Sequence, residues 1–237
     1  MRRLLAFLLL LCLAVPAAAE DGMKFAVRNG SREEPRIAIT IDDCYDRDHV
    51  REAFELAQQY GIAITFFPLG DQILEQDAEL WQAIAASNCE IGNHTYHHHK
   101  LGTLPGLTII THVMKTQECL DRVLGYHYTI RSLRPPFGNI EDANGDTRMA
   151  TRYIKRAGYE HIVLWDVSQT DPDKAIKKVK NGSILLYHTR ARDIRCLEKL
   201  IPMLQEKGFE MVTVTELLGF EPIETSEELY VFNKNDY

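Results

Sequence analysis

Cysteine is scarce in this sequence and is not arranged for metal binding. The chain has five cysteines in 237 residues, and none of them forms a C-x-x-C pair. The absence of such pairs argues against a zinc site built from cysteines. Cys12 lies in the apolar N-terminal segment, and the other four are widely spaced. These four could form disulfides or remain buried thiols, and the sequence leaves both open: Cys44, Cys89, Cys119 and Cys196.

Positive charge is also in short supply. The 27 lysines and arginines are outnumbered by 34 aspartates and glutamates, which gives a formal net charge of −7. This balance argues against nucleic acid or an anionic membrane surface as the main partner. The sequence also lacks repeats, low-complexity segments and long linkers. Its length therefore favours one large domain with a substantial core.

Long apolar runs are missing as well. The run from Leu4 to Val15 is short for a membrane span, follows Arg2 and Arg3, and precedes a small-residue stretch over residues 17–19. This order is typical of a secretory signal peptide cleaved after Ala19. We therefore expect a secreted or periplasmic protein, and an uncleaved N-terminal anchor is the alternative.

After this segment, strand-like and helix-like runs alternate along the chain. Repeated β–α units predict a parallel sheet, either open and doubly wound or closed into a barrel. In both arrangements, chemistry gathers at the carboxyl ends of the strands. The predicted strands are 36–42, 62–67, 89–92, 130–134, 161–166, 183–188 and 210–214, and the predicted helices are 48–60, 71–87, 108–124, 145–157, 173–180 and 192–206.

Two adjacent aspartates follow the first of these strands. Asp42 and Asp43 come directly after the apolar, β-branched run of residues 37–41. Neighbouring carboxylates repel each other, and burying a charge without a partner is costly. A metal ion, an arginine, a proton or solvent must therefore offset their charge.

Histidines cluster after another predicted strand. Four of them fall within residues 94–99, and His94 and His98 are four residues apart, so one helical turn would place both rings on one face. Two histidines with a carboxylate from Asp42 or Asp43 would suit a catalytic divalent ion. A solvated histidine-rich loop is the alternative.

Three further polar segments follow predicted strands. Arg134 precedes two prolines that stiffen its turn, so its guanidinium could pair with a carboxylate. Asp166 and Asp171 stand near another strand end. His188 ends an apolar strand, where it could be a general acid or a structural histidine.

Together these segments resemble the polysaccharide deacetylase family (carbohydrate esterase family 4, with the NodB homology domain). The family's five motifs occur in order over residues 36–219. They match here as Thr40-Ile41-Asp42-Asp43, His94-Thr95-Tyr96-His97-His98, Arg134-Pro135-Pro136-Phe137, Ser168-Gln169-Thr170-Asp171-Pro172 and Leu186-Tyr187-His188. The resemblance implies an irregular (β/α)7-type barrel over residues 36–219, after a signal peptide (1–19) and a lead-in (20–35) and before a tail (220–237).

The resemblance also implies how water would be activated. Asp43, His94 and His98 would bind a divalent metal, which we expect to be zinc, with cobalt, nickel or manganese as alternatives. Asp42, oriented by Arg134, would be the general base toward the attacking water.

The remaining matching residues would complete the reaction. The metal and the backbone N–H of Phe137 would stabilise the oxyanion, and His188 would protonate the leaving amine. Asp171 would tune His188, and Leu186 would line the pocket for the acetyl methyl group.

Four positions depart from the family pattern. Cys44 replaces the usual glycine and Phe137 replaces tyrosine, while Ser168 and Pro172 replace the first aspartate and the tryptophan of the fourth motif. The last two changes weaken the assignment of Asp171, and they leave Asp166 as a substitute partner for His188.

We therefore expect a metal-dependent hydrolase that removes acetyl groups, most simply from nitrogen, from peptidoglycan, chitin-like oligomers or exopolysaccharide. Its partner would be the acetylated glycan, without nucleic acid or stable membrane insertion, and it would be a monomer. A non-catalytic descendant that binds glycan or metal is the alternative. A histidine-rich metal buffer would explain residues 94–99 but neither Arg134 nor His188.

Overall fold

The computed structural model describes residues 25–237. The predicted signal peptide over residues 1–19 lies outside the described residues. Within the described part, no helix combines the length and the apolar character that a membrane crossing needs.

A parallel sheet forms the centre of the molecule. Its strand order is β4 (Glu90–Ile91), β3 (Thr65–Pro68), β2 (Arg36–Asp43) and β7 (Ile184–His188), and β8 (Glu210–Met211) pairs with the beginning of β2. The apolar, β-branched run after Pro35 forms its longest strand, as such residues favour a sheet that is covered on both faces. The strands are β1 (Ala26–Val27), β2 (Arg36–Asp43), β3 (Thr65–Pro68), β4 (Glu90–Ile91), β5 (His127–Tyr128), β6 (Ile162–Val163), β7 (Ile184–His188), β8 (Glu210–Met211) and β9 (Thr225–Ser226).

Isolated bridges close this sheet into an irregular barrel. Asn93 bridges Leu133 in parallel, which continues the sheet beyond β4. Val163 of β6 donates its N–H to the carbonyl of Leu133, and Val167 bridges Leu185 of β7. The predicted barrel-like α/β fold is thus confirmed, although the segment predicted as a strand over 130–134 contributes only this bridging stretch.

Helices connect the strands and pack outside them. Helix α1 begins after Asp46, whose carboxylate accepts the N–H groups of Asp48 and His49, and it ends at Gly61 in the left-handed conformation. The helices are α1 (Arg47–Tyr60), α2 (Ala78–Ala85), α3 (Gly106–Leu124), α4 (Arg148–Arg156), α5 (Pro172–Lys178), α6 (Ala191–Glu206) and α7 (Val214–Leu218).

Alternation along the strands separates two apolar layers. Ile39 and Leu185, which are register partners, join the large cluster shared with the helices. Ala38 and Ile184, also register partners, join the smaller cluster that fills the barrel. Because strand side chains alternate between faces, the even-numbered residues of β2 and β7 point inward.

Both ends of the described chain join the domain. In the predicted lead-in, β1 pairs with β6. In the predicted tail, β9 pairs with β5, and the N–H groups of Tyr230 and Phe232 bind carboxylates of α3. The four cysteines of the described region are buried and free, so the buried-thiol alternative describes this structure.

Candidate metal and catalytic site

The two aspartates lie buried where β2 leaves the sheet. Asp42 is the register partner of Phe67 on one side and of His188 on the other. Asp42 therefore shares the inner face of the barrel with His188, while Asp43 begins the turn into α1. Asp43 and Cys44 both have positive φ, 68° and 59°, so this turn bends sharply at the edge where the strands end.

Asp43, His94 and His98 come together beside this turn. Their ligand atoms all lie within 4.8 Å of one another, and Asp43 Oδ1 lies 3.4 Å from His94 Nε2 and 3.5 Å from His98 Nε2. This buried oxygen has no hydrogen-bond partner among the described residues. Two imidazoles next to a buried carboxylate oxygen without a hydrogen-bond partner fit a divalent ion such as zinc.

The protonation of these groups also suits metal binding. Burial raises the pKa of Asp43, but the close approach and charge of His94 and the charges of His188 and His98 outweigh it and lower the pKa overall. Burial and the nearby His94 lower the pKa of His98. His94 Nδ1 lies 2.8 Å from the carbonyl of Arg134, which leaves Nε2 to face Asp43.

Arg134 holds the other aspartate. Its Nη1 donates to Asp42 Oδ1 and to Thr40 Oγ1, both at 2.6 Å. Its Nε and Nη2 donate to the carbonyls of Val163 and Leu164, each at 3.2 Å. The guanidinium is fully buried. The guanidinium therefore donates hydrogen bonds both to β2 and to the residues at the end of β6. These bonds pair the charge of Asp42 and fix the orientation of its carboxylate.

His188 lies next to a carboxylate that the sequence did not single out. Asp193 Oδ2 accepts the backbone N–H of His188 at 2.9 Å and lies 3.7 Å from its Nδ1. Burial raises the pKa of Asp193, but these contacts with His188 lower it overall. A buried carboxylate beside an imidazole orients the ring. This pairing suits a general acid.

Comparisons with known proteins show the family to which this chain belongs. A family model described as polysaccharide deacetylase matches residues 29–162, more than half of the chain. The chain belongs to the polysaccharide deacetylase family. It is 29% identical over 203 residues to a peptidoglycan-N-acetylglucosamine deacetylase of Bacillus cereus, covering 79% of this chain and 90% of that relative.

Two further matches show the breadth of this deacetylase family. The protein YlxY of Bacillus subtilis is 26% identical over 201 residues, and the match covers 81% of this chain but 60% of YlxY. The solved structure of wild-type BA3943, a family 4 pseudoenzyme from Bacillus anthracis, superimposes with a TM-score of 0.70 at 22% identity. It covers 81% of this chain and 68% of that one. The likeness to BA3943 shows the fold alone. It also shows that this family of hydrolases includes a pseudoenzyme.

The fourth deacetylase motif lies differently from its predicted role. Asp171 caps α5 by accepting the N–H of Lys174, and its carboxylate pairs with the Lys174 ammonium at 3.1 Å. Asp166, the substitute, binds Arg32, Ser183 and the N–H of Ile184 instead. Neither aspartate has a described contact with His188, so the structure gives that position to Asp193.

The two remaining predicted residues flank the site. Leu186 lies two residues before His188 on the inner face of β7, opposite Thr40. Phe137 has positive φ of 61° and is 64% exposed, and its ring centroid lies 4.5 Å from that of His98. The phenyl ring therefore packs against His98 at the exposed side of the candidate metal site.

Three residues that contact Arg134 or His188 were not predicted from the sequence: Phe67, Trp165 and Asp193. The Arg134 guanidinium lies 4.3 Å from the centroid of the Phe67 ring and 5.7 Å from that of Trp165. The one signal for Asp193 was an acidic residue in the first turn of the helix that follows His188, and the prediction did not use it.

Proposed function

We propose that this protein is a metal-dependent deacetylase that hydrolyses N-acetyl groups of an extracytoplasmic glycan, with peptidoglycan as the first candidate. One observation carries the proposal. Asp42, whose charge is paired with Arg134, lies 3.8 Å from His94 Nε2 of the Asp43–His94–His98 cluster and is the register partner of His188, so a candidate proton acceptor and a candidate proton donor lie beside this cluster. A protein that only binds glycan or metal has no use for this arrangement.

The chain's own residues can perform both proton transfers. A divalent ion held by Asp43, His94 and His98 would lower the pKa of a water and polarise the acetyl carbonyl. Asp42 Oδ1 is bound by Arg134, while Oδ2 lies 3.8 Å from His94 Nε2, on the side of the metal cluster. Asp42 Oδ2 would accept the proton of the attacking water.

His188 would supply the proton that the leaving nitrogen needs. As the water oxygen bonds to the carbonyl carbon, the carbon–nitrogen bond breaks and the nitrogen needs a proton. His188, partly exposed and oriented by Asp193, would donate that proton to the amine. The products are acetate and a free amino sugar. The backbone N–H of Phe137 is assigned to the developing oxyanion, and Leu186 to the acetyl methyl group.

A polar cleft next to the site supports a glycan as the substrate. The cleft has a volume of about 410 Å³, and its lining begins at Cys44, directly after Asp43 in the sequence. Tyr45 and Leu74 are exposed along it, and Arg47 and Gln72 provide polar groups. One aromatic ring and one aliphatic side chain beside polar groups suit sugars, which have both apolar faces and hydroxyl groups.

Zinc is the proposed ion, and the protein is proposed to act outside the cytoplasm as a monomer. Two imidazoles and one carboxylate suit zinc, with cobalt, nickel or manganese as substitutes. The relatives named as peptidoglycan deacetylases and the signal peptide predicted from the sequence support the location.

Acetate release tests the proposal directly. The purified protein is treated with a chelator, then assayed with and without zinc or cobalt on N-acetylglucosamine oligomers and on peptidoglycan. We expect release that depends on metal and that falls by at least about 100-fold in Asp42→Asn, since a general base contributes about 10² to 10⁴. Thermal unfolding of Asp42→Asn and its zinc content verify that the variant is folded. A wild-type protein that binds zinc yet releases no acetate would favour the non-catalytic alternative.

A further inference from the structure

Three histidines lie outside the catalytic arrangement but close to one another. His97 and His99 follow β4 on the same loop as His94 and His98, and His112 lies on α3. Their ring centroids are separated by 5.8 Å (His97–His99), 5.7 Å (His97–His112) and 5.1 Å (His99–His112). We propose that these three residues, named here the outer histidine cluster, form a second binding site for a divalent transition-metal ion.

The ring separations match what a shared ion requires. With metal–nitrogen bonds of about 2.0–2.1 Å and tetrahedral angles, the centroids of two ligating imidazoles are roughly 5 Å apart. The His94 and His98 rings of the first site are 5.1 Å apart. All three pairs of rings in the outer histidine cluster therefore have the spacing of a metal site. An isolated H-x-x-x-H pattern supplies only one such pair.

The rings must turn before all three present a nitrogen to one ion. In the present rotamers, their ring nitrogens are not all within ligand distance of one another, unlike the ligand atoms of Asp43, His94 and His98. Rotation about the Cβ–Cγ bond moves the nitrogens but leaves the ring centre nearly in place, and this torsion is broad for histidine. His99 is exposed, so its ring is free to turn, while the contact with Asp71 orients the His97 ring.

Two contacts fit the role of ligands. Asp71 Oδ2 lies 2.7 Å from His97 Nδ1, and a carboxylate that holds one ring nitrogen leaves Nε2 available to a metal. His112 Nδ1 is buried and has no hydrogen-bond partner among the described residues. A buried nitrogen without a partner is unfavourable in the absence of a ligand.

The surrounding charges predict that this site is the weaker of the two. No carboxylate belongs to the outer histidine cluster itself, whereas Asp43 belongs to the first site. Lys115 lies one turn after His112, with its ammonium 5.5 Å from the centroid of the Tyr96 ring, and its positive charge opposes a cation. Asp71 offsets part of that charge. Zinc should therefore fill the first site before the outer histidine cluster.

Zinc stoichiometry tests the proposal without any assay of activity. The metal-free protein is dialysed to equilibrium against zinc, and its bound zinc is measured by elemental analysis and by calorimetric titration. We expect about two equivalents for the wild type, with the outer cluster as the weaker site. His99→Ala and His112→Ala should each lose about one equivalent and keep the tighter site. Asp43→Ala should lose the tighter site and keep the weaker one.

His49→Ala is the matched control. His49 is a partly buried histidine of α1 that contacts Asp46 and Glu52 and has no described contact with the outer cluster. This variant should bind as much zinc as the wild type. A single equivalent in the wild type, or an equal loss in His49→Ala and His99→Ala, would overturn the second site and leave the catalytic proposal standing. Failure of acetate release with two zinc equivalents bound would do the reverse.

Discussion

Substitution of Asp193 tests whether this residue or Asp171 is the functional partner of His188. We expect Asp193→Asn to lower kcat/KM for acetate release by about 10- to 100-fold, part of the about 10² to 10⁴ that a general acid contributes. The amide oxygen can still accept the N–H of His188, but the negative charge 3.7 Å from Nδ1 is lost. Initial rates at saturating zinc, with circular dichroism to verify folding, provide the measurement.

Asp171→Asn is the control for this change. Asp171 is partly exposed, caps α5 and pairs with Lys174. Asparagine caps helices about as well as aspartate, so rates should stay within about twofold. If Asp171→Asn were the more damaging substitution, the role that the family resemblance implies for Asp171 would be restored.

At the level of residues, motif order predicted much of the site. Asp42, Asp43, His94, His98 and Arg134 were named from strand ends and spacing, and the structure brings them together. The partner of His188 was not predictable in the same way. That contact depends on the direction in which α6 leaves β7, and no pattern of residue types in the sequence contains this direction.

The turn between β2 and α1 is the element that places Asp43, and its backbone is strained. Cys44 has a φ of 59° and is nearly fully buried, a conformation that glycine adopts freely and β-branched residues avoid. We expect Cys44→Gly to change the free energy of unfolding by no more than about 1 kcal/mol, because relieved strain offsets lost burial. Cys44→Val should lower it by about 2 kcal/mol or more.

Chemical denaturation of the two variants and the wild type measures this difference. The two substitutions change side-chain volume in opposite directions, so the unfolding slope should also be compared to exclude an altered unfolded state. If Cys44→Gly were as destabilising as Cys44→Val, packing of the thiol rather than backbone strain would dominate at this turn.

Three of the helices were predicted closely, and the segment before α2 was not. Predicted helices 48–60, 108–124 and 192–206 begin within two residues of α1, α3 and α6. The predicted helix 71–87 is interrupted by two short 3₁₀ turns, and α2 begins only at Ala78. Asp77 precedes it without capping it, because its carboxylate binds Arg47 of α1 at 2.9 Å. Tertiary contact overrides the local signal there.

Across the whole molecule, one buried glutamate joins parts of the barrel that are distant in sequence. Glu90 of β4 is fully buried. It accepts hydrogen bonds from the hydroxyls of Thr65, Ser132 and Thr215 and from the N–H of Thr215. These donors belong to β3, to the bridging segment and to α7. The sequence did not predict this role, since a glutamate in a short strand is normally solvated.

The pH dependence of stability should reveal this glutamate. Burial raises the pKa of Glu90 above its ordinary value, although the four hydrogen bonds oppose the shift. A raised folded-state pKa gives a stability contribution that is complete below the unfolded pKa of about 4.3 and is lost as the pH rises through the folded pKa. Glu90→Gln removes this loss, and its amide can donate to the Ser132 and Thr215 hydroxyls.

The free energy of unfolding of Glu90→Gln, relative to wild type, should therefore increase as the pH is raised from about 4 to about 7. Urea denaturation at several pH values measures it, with Glu198→Gln on the exposed face of α6 as the control. Glu198 has no described partner, so its substitution should produce a difference that does not vary with pH. A difference for Glu90→Gln that stayed flat or fell with rising pH would mean that the four donors fully offset the burial of the charge. The carboxylate would then stabilise the barrel in its ionised form.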